Sequence, residues 1–533
     1  MKRMNKTIKW RAFLPLIVAA LTLILVTPVF AQDGGPTGEE FGDVTLSINI
    51  MWMIIGGFLV FFMQAGFALV ETGFTRNKNV AHTMLMNMMV FCIGAIGYWL
   101  TGFAFQFGAV NAAYPEVARV GVIAGEWAHS PVTLGDWTGH LATPLLRFGQ
   151  FGLLGGSGFL LAGLGTNVGI LAFFLFQMVF MDTAATIPTG SMAERVKFIG
   201  FVIMSLWVSM FIYPLVAGWI WGGGWIQNLG RSLGFGNGAV DFAGSGPVHM
   251  IGGCVALAGA LVLGPRIGKF NKDGSANTIP GHSISLGVLG TIILFFGWFG
   301  FNPGSSLGFL GGFRNLAVIA SVNTLLAGAA GGCSAMTYMW LFGATKKPDP
   351  GMSVNGILAG LVAITAPCAF VDGWAAVVIG LISGVLVCRA SVWLEKWKID
   401  DPVGAVPVHF FNGLWGVLAV GIFANGNPDT AAWNGVESPV TGLLYGGGTQ
   451  IIAQTIEVTS IFAFAFGLSY VFFKVLAAFK LLRVSREAEL QGLDLPEMGT
   501  LGYPVDWEPS DLDEETPVVA PGNAAKKAFG TAD

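Results

Sequence analysis

Two histidines and two aspartates recur in the same order and at the same spacing, and these four residues are the strongest candidates for chemistry. The stretches DFAGSGPVHM and DDPVGAVPVHF place Asp241 eight residues before His249 and Asp401 eight residues before His409. A neutral imidazole offers one hydrogen-bond donor and one acceptor. Two imidazoles side by side could therefore share a hydrogen and pass a proton.

The composition places both histidines in a membrane protein. Apolar residues make up 54% of the 533 residues and charged residues 11%, whereas soluble domains carry about 25% charged residues. Apolar runs of roughly 18 or more residues recur, and each could cross the lipid bilayer as a helix. An ionisable residue in such a run costs about 2.5 kcal/mol or more when charged. We therefore expect His249 and His409 to be neutral, and to line a pore as a proton-relaying pair.

Both ends of the chain differ from its apolar middle. Residues 1–31 are typical of a bacterial-type secretory signal peptide, with a basic start, an apolar run over 13–26 and small residues before a cleavage point. An uncleaved extra helix is the alternative. Residues 32–482 are predicted to form the membrane domain, and the polar residues 483–533 a cytoplasmic tail.

Eleven transmembrane helices are predicted, which makes the chain an all-α polytopic membrane protein of the cell (inner) membrane. Alternate loops are rich in Lys and Arg, and the positive-inside rule puts them and the tail inside, with the mature N-terminus outside. The histidine helices are five apart, so they run in opposite directions and indicate a five-plus-five inverted repeat followed by a long final helix. The predicted spans are 46–71, 83–107, 166–188, 198–221, 241–263, 283–301, 316–343, 352–370, 373–394, 403–424 and 446–482.

Aromatic and polar residues near the predicted outer ends of three helices make a second candidate site. Aromatic residues at membrane interfaces are ordinarily belt residues. Together they could instead form a cup for a small cation, which gains roughly 0.5–2 kcal/mol over aromatic faces. Asp241 and Asp401 begin the histidine helices, where an aspartate either caps the helix or serves a cation. The cup candidates are Phe176, Phe180, Trp221, Trp298, Phe301, Asn302 and Ser305.

Other function classes find little support. Glu71, Asp182 and Glu457 fall in apolar runs, and we expect each to be a buried hydrogen-bonding group. The five cysteines lack metal-ligand spacing and are expected to be free thiols. A formal charge of -4 offers no footprint for nucleic acid. No nucleophile–base set is evident, so we expect no enzyme, metal or cofactor.

Seven stretches resemble, in order, the Amt/Mep/Rh ammonium transporters, and the resemblance runs from about Trp52 to Tyr503. It implies an eleven-helix homotrimer in the lipid bilayer, with one pore per subunit and the ammonium ion as substrate. It also implies a tail that docks beneath the subunits and couples to PII signalling proteins. The stretches are ETGFTRNKN, MAERVKF, WGGG, DFAGSGPVH, GWFGFNPGS, DDPVGAVPVH and RVSREAELQGLDLPEMG.

Matching the motifs position by position implies a role for each candidate residue. His249 and His409 match the family's twin pore histidines. Ammonium would be recruited outside and deprotonated near a phenyl gate, and ammonia would then pass the histidines. The remaining matches are Phe180 and Phe301 to the gate, Trp221, Ser305 and Phe180 to the ammonium recruitment site, Asp241 to an aspartate required near it, and Asp401 to its pseudo-symmetric partner.

Two departures from the family pattern stand in the second motif. Phe410 follows the second histidine where glycine is usual, and its bulk could narrow or reshape the inner pore. Gly404 stands where some relatives carry another aspartate. Two alternatives to the transporter therefore stay open: an ammonium sensor that binds the ion and conducts poorly, and an Rh-like channel for neutral ammonia. The aromatic recruitment residues favour the Amt branch.

Overall fold

The structure is a computed structural model that describes residues 38–109, 144–164, 168–430, 433–436 and 438–503. The predicted signal peptide, residues 1–31, lies outside these residues, as does the tail beyond residue 503.

Long apolar helices make up most of the described chain. Ten of them, among the described residues, are long and apolar enough to cross a membrane, and an eleventh apolar helix, Pro350–Ile364, has 15 residues. The predicted all-α polytopic membrane fold is confirmed, while the exact number of spans and the N-out, C-in orientation stay predictions. The helices are α1 Gly38–Phe74, α2 Asn77–Phe107, α3 Val168–Met192, α4 Phe198–Trp221, α5 Ser245–Leu263, α6 Ile284–Ser306, α7 Phe313–Phe342, α8 Pro350–Ile364, α9 Gly373–Lys396, α10 Val406–Phe423, α11 Gln450–Ala478 and, in the tail, α12 Arg486–Gln491.

Two landmarks distinguish the ends of the helical bundle. An antiparallel hairpin of β1 Pro144–Phe148 and β2 Phe151–Gly155 packs where α2 ends. Residues 483–503 pack at the opposite end, where α2 and α4 begin. We call these ends the hairpin side and the tail side.

The tail contacts the bundle through acidic side chains that accept hydrogen bonds from backbone N–H groups. Asp494 Oδ1 accepts from His82 N at 3.0 Å, in the first turn of the α-helical part of α2, which begins at Val80. Glu497 Oε2 accepts from Phe198 N at 2.8 Å, where α4 begins. The first N–H groups of a helix lack partners inside the helix, and a carboxylate there also opposes the helix dipole. The tail therefore caps the helices that it covers.

The helices α5 and α10 cross in opposite directions. Gly253, in the middle of α5, lies against Phe410, near the start of α10. Ser245, at the start of α5, lies against Gly416, further along α10. The contact nearer to the start of α5 is therefore the one further along α10, so the two helices are antiparallel. This agrees with the opposite directions predicted for the two histidine helices.

Candidate functional site

The crossing of α5 and α10 brings the two predicted histidines into contact. His249 Nδ1 and His409 Nδ1 are 3.2 Å apart, and the ring centroids are separated by 5.3 Å. Both rings are buried, with exposures of 0% and 5%. One Nδ1 must carry the shared hydrogen while the other accepts it. In the described part of the chain, Nε2 of His249 has no hydrogen-bond partner.

The same local structure presents each histidine. Both helices open with a widened π-helical turn, Ser245–Met250 in α5 and Val406–Phe411 in α10. The turn is preceded by a glycine with positive φ, Gly244 at 111° and Gly404 at 81°. Glycine has no Cβ and adopts this conformation without strain. The proline inside each turn lacks an N–H, so the position of a helix start suits it.

The aspartates of the two motifs cap these turns. Asp241 Oδ2 accepts from Gly246 N at 2.7 Å, and its Oδ1 accepts from Gly244 N. Asp401 Oδ2 accepts from Val406 N at 2.7 Å, and its Oδ1 accepts from two further backbone N–H groups. Of the two roles considered for these aspartates, capping is the one that the hydrogen bonds support directly.

A stack of aromatic rings extends from His249 towards the hairpin side. Phe301 lies 5.4 Å from the His249 ring, Phe180 stacks on Phe301 at 4.1 Å, and Trp221 meets the edge of Phe180 at 6.2 Å. The two phenylalanine rings are buried, at 1% and 0% exposure. The two residues predicted to form a gate therefore lie between Trp221 and His249.

A small cavity of about 20 Å³ lies on the hairpin side of this stack. Phe180, Trp221 and Ser305, the three residues matched to the recruitment site, all line it, together with Trp433. Trp433 Nε1 donates to Ser305 O at 3.2 Å. Asp241 lines a separate cavity of about 10 Å³ beside Trp221, and its carbonyl accepts from Trp221 Nε1 at 2.8 Å. Asp241 is therefore placed to position Trp221.

A second cavity of about 20 Å³ lies beside His409 on the tail side. Glu71, Val403 and Gly404 also line it. A larger cavity of about 410 Å³ shares Val403 and Gly404 in its lining and reaches the charged residues of the tail side. The histidine pair thus lies between a small cavity on each side.

Two residues predicted for the aromatic cup lie elsewhere, and two residues of the site were not predicted. Asn302 is buried and does not line the hairpin-side cavity, and its Nδ2 donates to Thr324 Oγ1 at 2.9 Å. Trp298 was grouped with the aromatic cup, but it is fully buried beside His249, with the ring centroids 5.1 Å apart. Its Nε1 donates to Thr365 Oγ1 at 3.0 Å. Phe67 was missed, and its ring lies 6.2 Å from that of His409. Trp433 was missed because no motif marks it. The pseudo-symmetry could have suggested Phe67, since it is the counterpart of Trp298.

The predicted narrowing of the pore by Phe410 is wrong. Its ring lies 5.8 Å from Phe462 in α11 and 5.1 Å from Phe411, and it does not line the cavity beside His409. Consecutive residues of a helix point in different directions around its axis. The side chain that follows His409 is therefore directed towards α11 and not into the cavity beside His409.

The three acids of the apolar runs are buried and hydrogen-bonded, as expected. Asp182 Oδ1 accepts from Gln64 at 3.2 Å, and Glu457 Oε2 accepts from Gln454 at 3.2 Å. Glu71 accepts from Asn87 and Thr189, each at 2.8 Å.

A cluster of buried charges fixes the start of the second motif on the tail side. Asp400 Oδ2 accepts from Arg266 Nε at 2.8 Å, and Asp400 O accepts from Arg195 Nη2 at 2.7 Å. Burial alone would raise the pKa of Asp400, but the hydrogen bonds and charges of the two arginines outweigh it and lower the pKa to about 2. Asp400 is therefore a charged anchor next to Asp401.

Known proteins resemble this chain over most of its length. The model of the Ammonium Transporter Family matches residues 51–503. Ammonium transporter Amt2 of Archaeoglobus fulgidus is 44% identical over 492 residues, covering 91% of this chain and 95% of that protein. Ammonium transporter 3 of Dictyostelium discoideum is 33% identical over 484 residues, covering 89% and 99%.

Solved structures are similar as well. A protein described as "Sensor Amt Protein" has a TM-score of 0.70 at 35% identity, covering 86% of this chain and 99% of that one. Mep2 of Candida albicans has a TM-score of 0.67 at 25% identity, covering 87% and 92%.

Proposed function

The chain belongs to the ammonium transporter family, and from that premise we propose that it moves ammonium across the cell membrane through a pore centred on His249 and His409. The observation that carries this proposal is the direct contact of two buried imidazoles, 3.2 Å apart, between two small cavities. Such a pair offers hydrogen bonds to a small polar solute in an otherwise apolar path.

Ammonium first enters the cavity on the hairpin side. Trp221 and Phe180 line it, and a cation over the face of an aromatic ring gains roughly 0.5–2 kcal/mol. Ser305 lines the same cavity, and its hydroxyl donates to Phe301 O at 2.8 Å. The hydroxyl oxygen remains able to accept a hydrogen bond from the ion. Aromatic faces and one polar oxygen together suit a small cation that can donate hydrogen bonds.

The stacked pair Phe180 and Phe301 then selects for the neutral molecule. A bare cation between two phenyl rings would lose its hydration without a compensating partner, which costs several kcal/mol. Ammonium avoids this cost by giving up a proton, whereas a potassium ion cannot. Ammonia passes the rings and meets Nε2 of His249, which has no other partner among the described residues.

The tail side is assigned to the cytoplasm. Basic residues of its short loops, among them Lys78, Arg195 and Lys269, support this orientation under the positive-inside rule. The hairpin side would then face the outside. The signal peptide over 1–31 and the membrane domain over 32–482 are part of the same proposal.

Family membership also supports a homotrimer and, at the tail side, contact with a PII signalling protein. Apolar side chains on the outer faces of several helices are exposed in a single chain, such as Ile292, Phe296 and Val322. These faces are available for lipid or for neighbouring subunits.

A sensor is the second candidate, because one similar solved structure is described as a sensor. A sensor would bind ammonium and conduct it poorly. The feature that favoured it in the sequence was the bulk of Phe410, which lies outside the described pore. We therefore favour transport.

Reconstitution on a solid-supported membrane distinguishes these functions. We expect a saturable current when ammonium is added to the purified full chain, and little current with potassium. Ammonium binding without current or uptake would contradict transport and support the sensor. Uptake without current would instead support an Rh-like channel for neutral ammonia.

A further inference from the structure

Glu71 is an acidic side chain that shares a cavity with His409. The carboxyl group lies in α1, within the apolar span, and is only 3% exposed. It lines the tail-side cavity of about 20 Å³ with His409, Val403 and Gly404. A cavity needs about 10–15 Å³ of such volume to hold one water molecule. A single water could therefore connect the imidazole and the carboxyl group.

The partners of Glu71 leave its charge unbalanced. Asn87 Nδ2 donates to Oε2 at 2.8 Å, and Thr189 Oγ1 lies 2.8 and 2.9 Å from the two carboxyl oxygens. Both donors are neutral, and no Lys or Arg of the described ranges forms an ion pair with Glu71. A buried carboxylate without a cationic partner is costly. Such a group is well suited to bind and release a proton.

On the hairpin side of the histidine pair, an amide stands at the position equivalent to Glu71. Trp298 packs beside His249 as Phe67 packs beside His409, so these two aromatic residues correspond. Four residues further along each helix, one turn away, stand Asn302 and Glu71. An amide cannot bind a proton at ordinary pH, whereas a carboxylate can. Of these two equivalent positions, only the one on the tail side of the histidine pair carries an acid.

We propose that Glu71 is the tail-side terminus of a proton path through the histidine pair. This inference rests on the proposed function, because ammonium supplies the proton. Deprotonation breaks one N–H bond of ammonium on the hairpin side and leaves the electron pair on ammonia. Water accepts that proton and passes it to Nε2 of His249, and the hydrogen on Nδ1 of His249 shifts to Nδ1 of His409. His409 then releases a proton through cavity water to the carboxylate of Glu71.

The cycle closes in the larger cavity of the tail side. The O–H bond of the protonated Glu71 breaks, water in the small tail-side cavity accepts the proton and passes it to the larger cavity that adjoins it at Val403 and Gly404, and the carboxylate is restored. One ammonia and one proton have then crossed for each ammonium ion, so transport carries charge. The sequence favoured only a buried hydrogen-bonding role for Glu71; the shared cavity gives it a second role.

Liposomes that contain the full chain and an internal pH dye test this path. Ammonium chloride is added outside, and the current and the internal pH are recorded together, with protein-free liposomes as background. Ammonia that enters alone makes the interior alkaline, whereas ammonia that enters with its proton does not. We expect the wild-type protein to give current with little alkalinisation above background.

The variant Glu71→Gln should take up ammonia with little current and make the liposome interior alkaline. It keeps the shape of the side chain and one acceptor oxygen but cannot take a proton. We expect the ratio of current to ammonia uptake to fall at least about tenfold, with marked alkalinisation, since positioned acid–base groups contribute 100-fold or more. A merely structural role would lower current and uptake in proportion and leave the ratio unchanged.

Two further variants complete the test. Asp182→Asn removes a buried acid that bonds to Gln64 but does not line the tail-side cavity, so we expect the wild-type ratio. Glu71→Asp retains a carboxyl group on a shorter side chain, and its ratio should lie between those of wild type and Glu71→Gln. If Glu71→Gln does not fold, this aspartate variant carries the test alone, and a wild-type ratio overturns the inference.

The outcomes separate the two proposals. An unchanged ratio in Glu71→Gln overturns the proton path and leaves the transporter intact. The same holds if the wild-type protein takes up ammonia without current. If the wild-type protein gives neither current nor uptake, the proposed function itself fails.

Discussion

The two ends of the proposed pore, its hairpin-side and tail-side mouths, are built on one plan and differ in the side chains that line them. Each has an aspartate-capped π turn, a histidine and a large aromatic ring beside that histidine. On the hairpin side, stacked rings and Trp221 surround a small cavity, and the equivalent of Glu71 is an amide. On the tail side, the cavity holds an acid and adjoins a larger charged one. The repeated backbone positions the two histidines, and the different side chains make the two mouths chemically unequal.

The largest expected effect comes from breaking the element that the mouths share. Replacing either His249 or His409 with Ala removes the contact at 3.2 Å between the two rings. We expect the ammonium current to fall by about 100-fold in each variant, because neither histidine can then pass a proton to the other. The solid-supported membrane assay measures this. His249→Asp should also admit other cations, since a carboxylate at this point balances their charge, and an unchanged selectivity would remove His249 from the pore.

Acid should lower the stability of the folded protein by protonating Asp400 on the tail side. Its folded-state pKa of about 2 lies below the ordinary value of 3.8, so the carboxylate contributes stability that is complete above pH ~4 and is lost as pH falls towards ~2. The contribution is about 2 kcal/mol at neutral pH. Thermal unfolding in detergent, followed from pH 7 downwards, measures it. Asp400→Asn should be less stable at pH 7 and show a weaker dependence on acid; a parallel curve would contradict this account.

Trimming one aromatic residue at each mouth should sharpen the difference between them. Trp221→Leu should raise the ammonium concentration for half-maximal current by a few fold, because one cation–π contact of about 0.5–1 kcal/mol is lost. Phe67→Leu, at the tail side, should leave this concentration unchanged. Equal shifts in both variants would mean that recruitment is not confined to the hairpin side.

The smallest effect is expected at the residue that breaks the symmetry of the two sequences. Phe410→Gly removes a ring that packs against Phe462 rather than into the pore. We expect an unchanged current per folded protein, along with some loss of thermal stability from the lost packing. A higher current in this variant would restore the idea that Phe410 narrows the pore.

Much of the site could be predicted because its main residues recur in two copies of one sequence motif. The spacing of Asp241 to His249 recurs from Asp401 to His409, and five intervening helix steps require opposite helix directions. Length and composition then determined the class, since a run of about 20 apolar residues has few uses other than crossing a bilayer. The gate and recruitment residues depended on resemblance, because no periodicity distinguishes them from ordinary aromatic residues at a membrane interface.

The tertiary structure decided which side chains meet the path. Trp298 lies beside His249, Phe410 points away from the pore, and Glu71 shares a cavity with His409. In each case the helix and its approximate depth were predictable, while the direction of the side chain was not. Direction depends on how a helix is rotated about its axis, and nearly all faces of these helices are apolar. The sequence by itself therefore determined the membrane class and the paired histidines, while close packing at glycines such as Gly253 decided the rotation and with it the chemistry of each mouth.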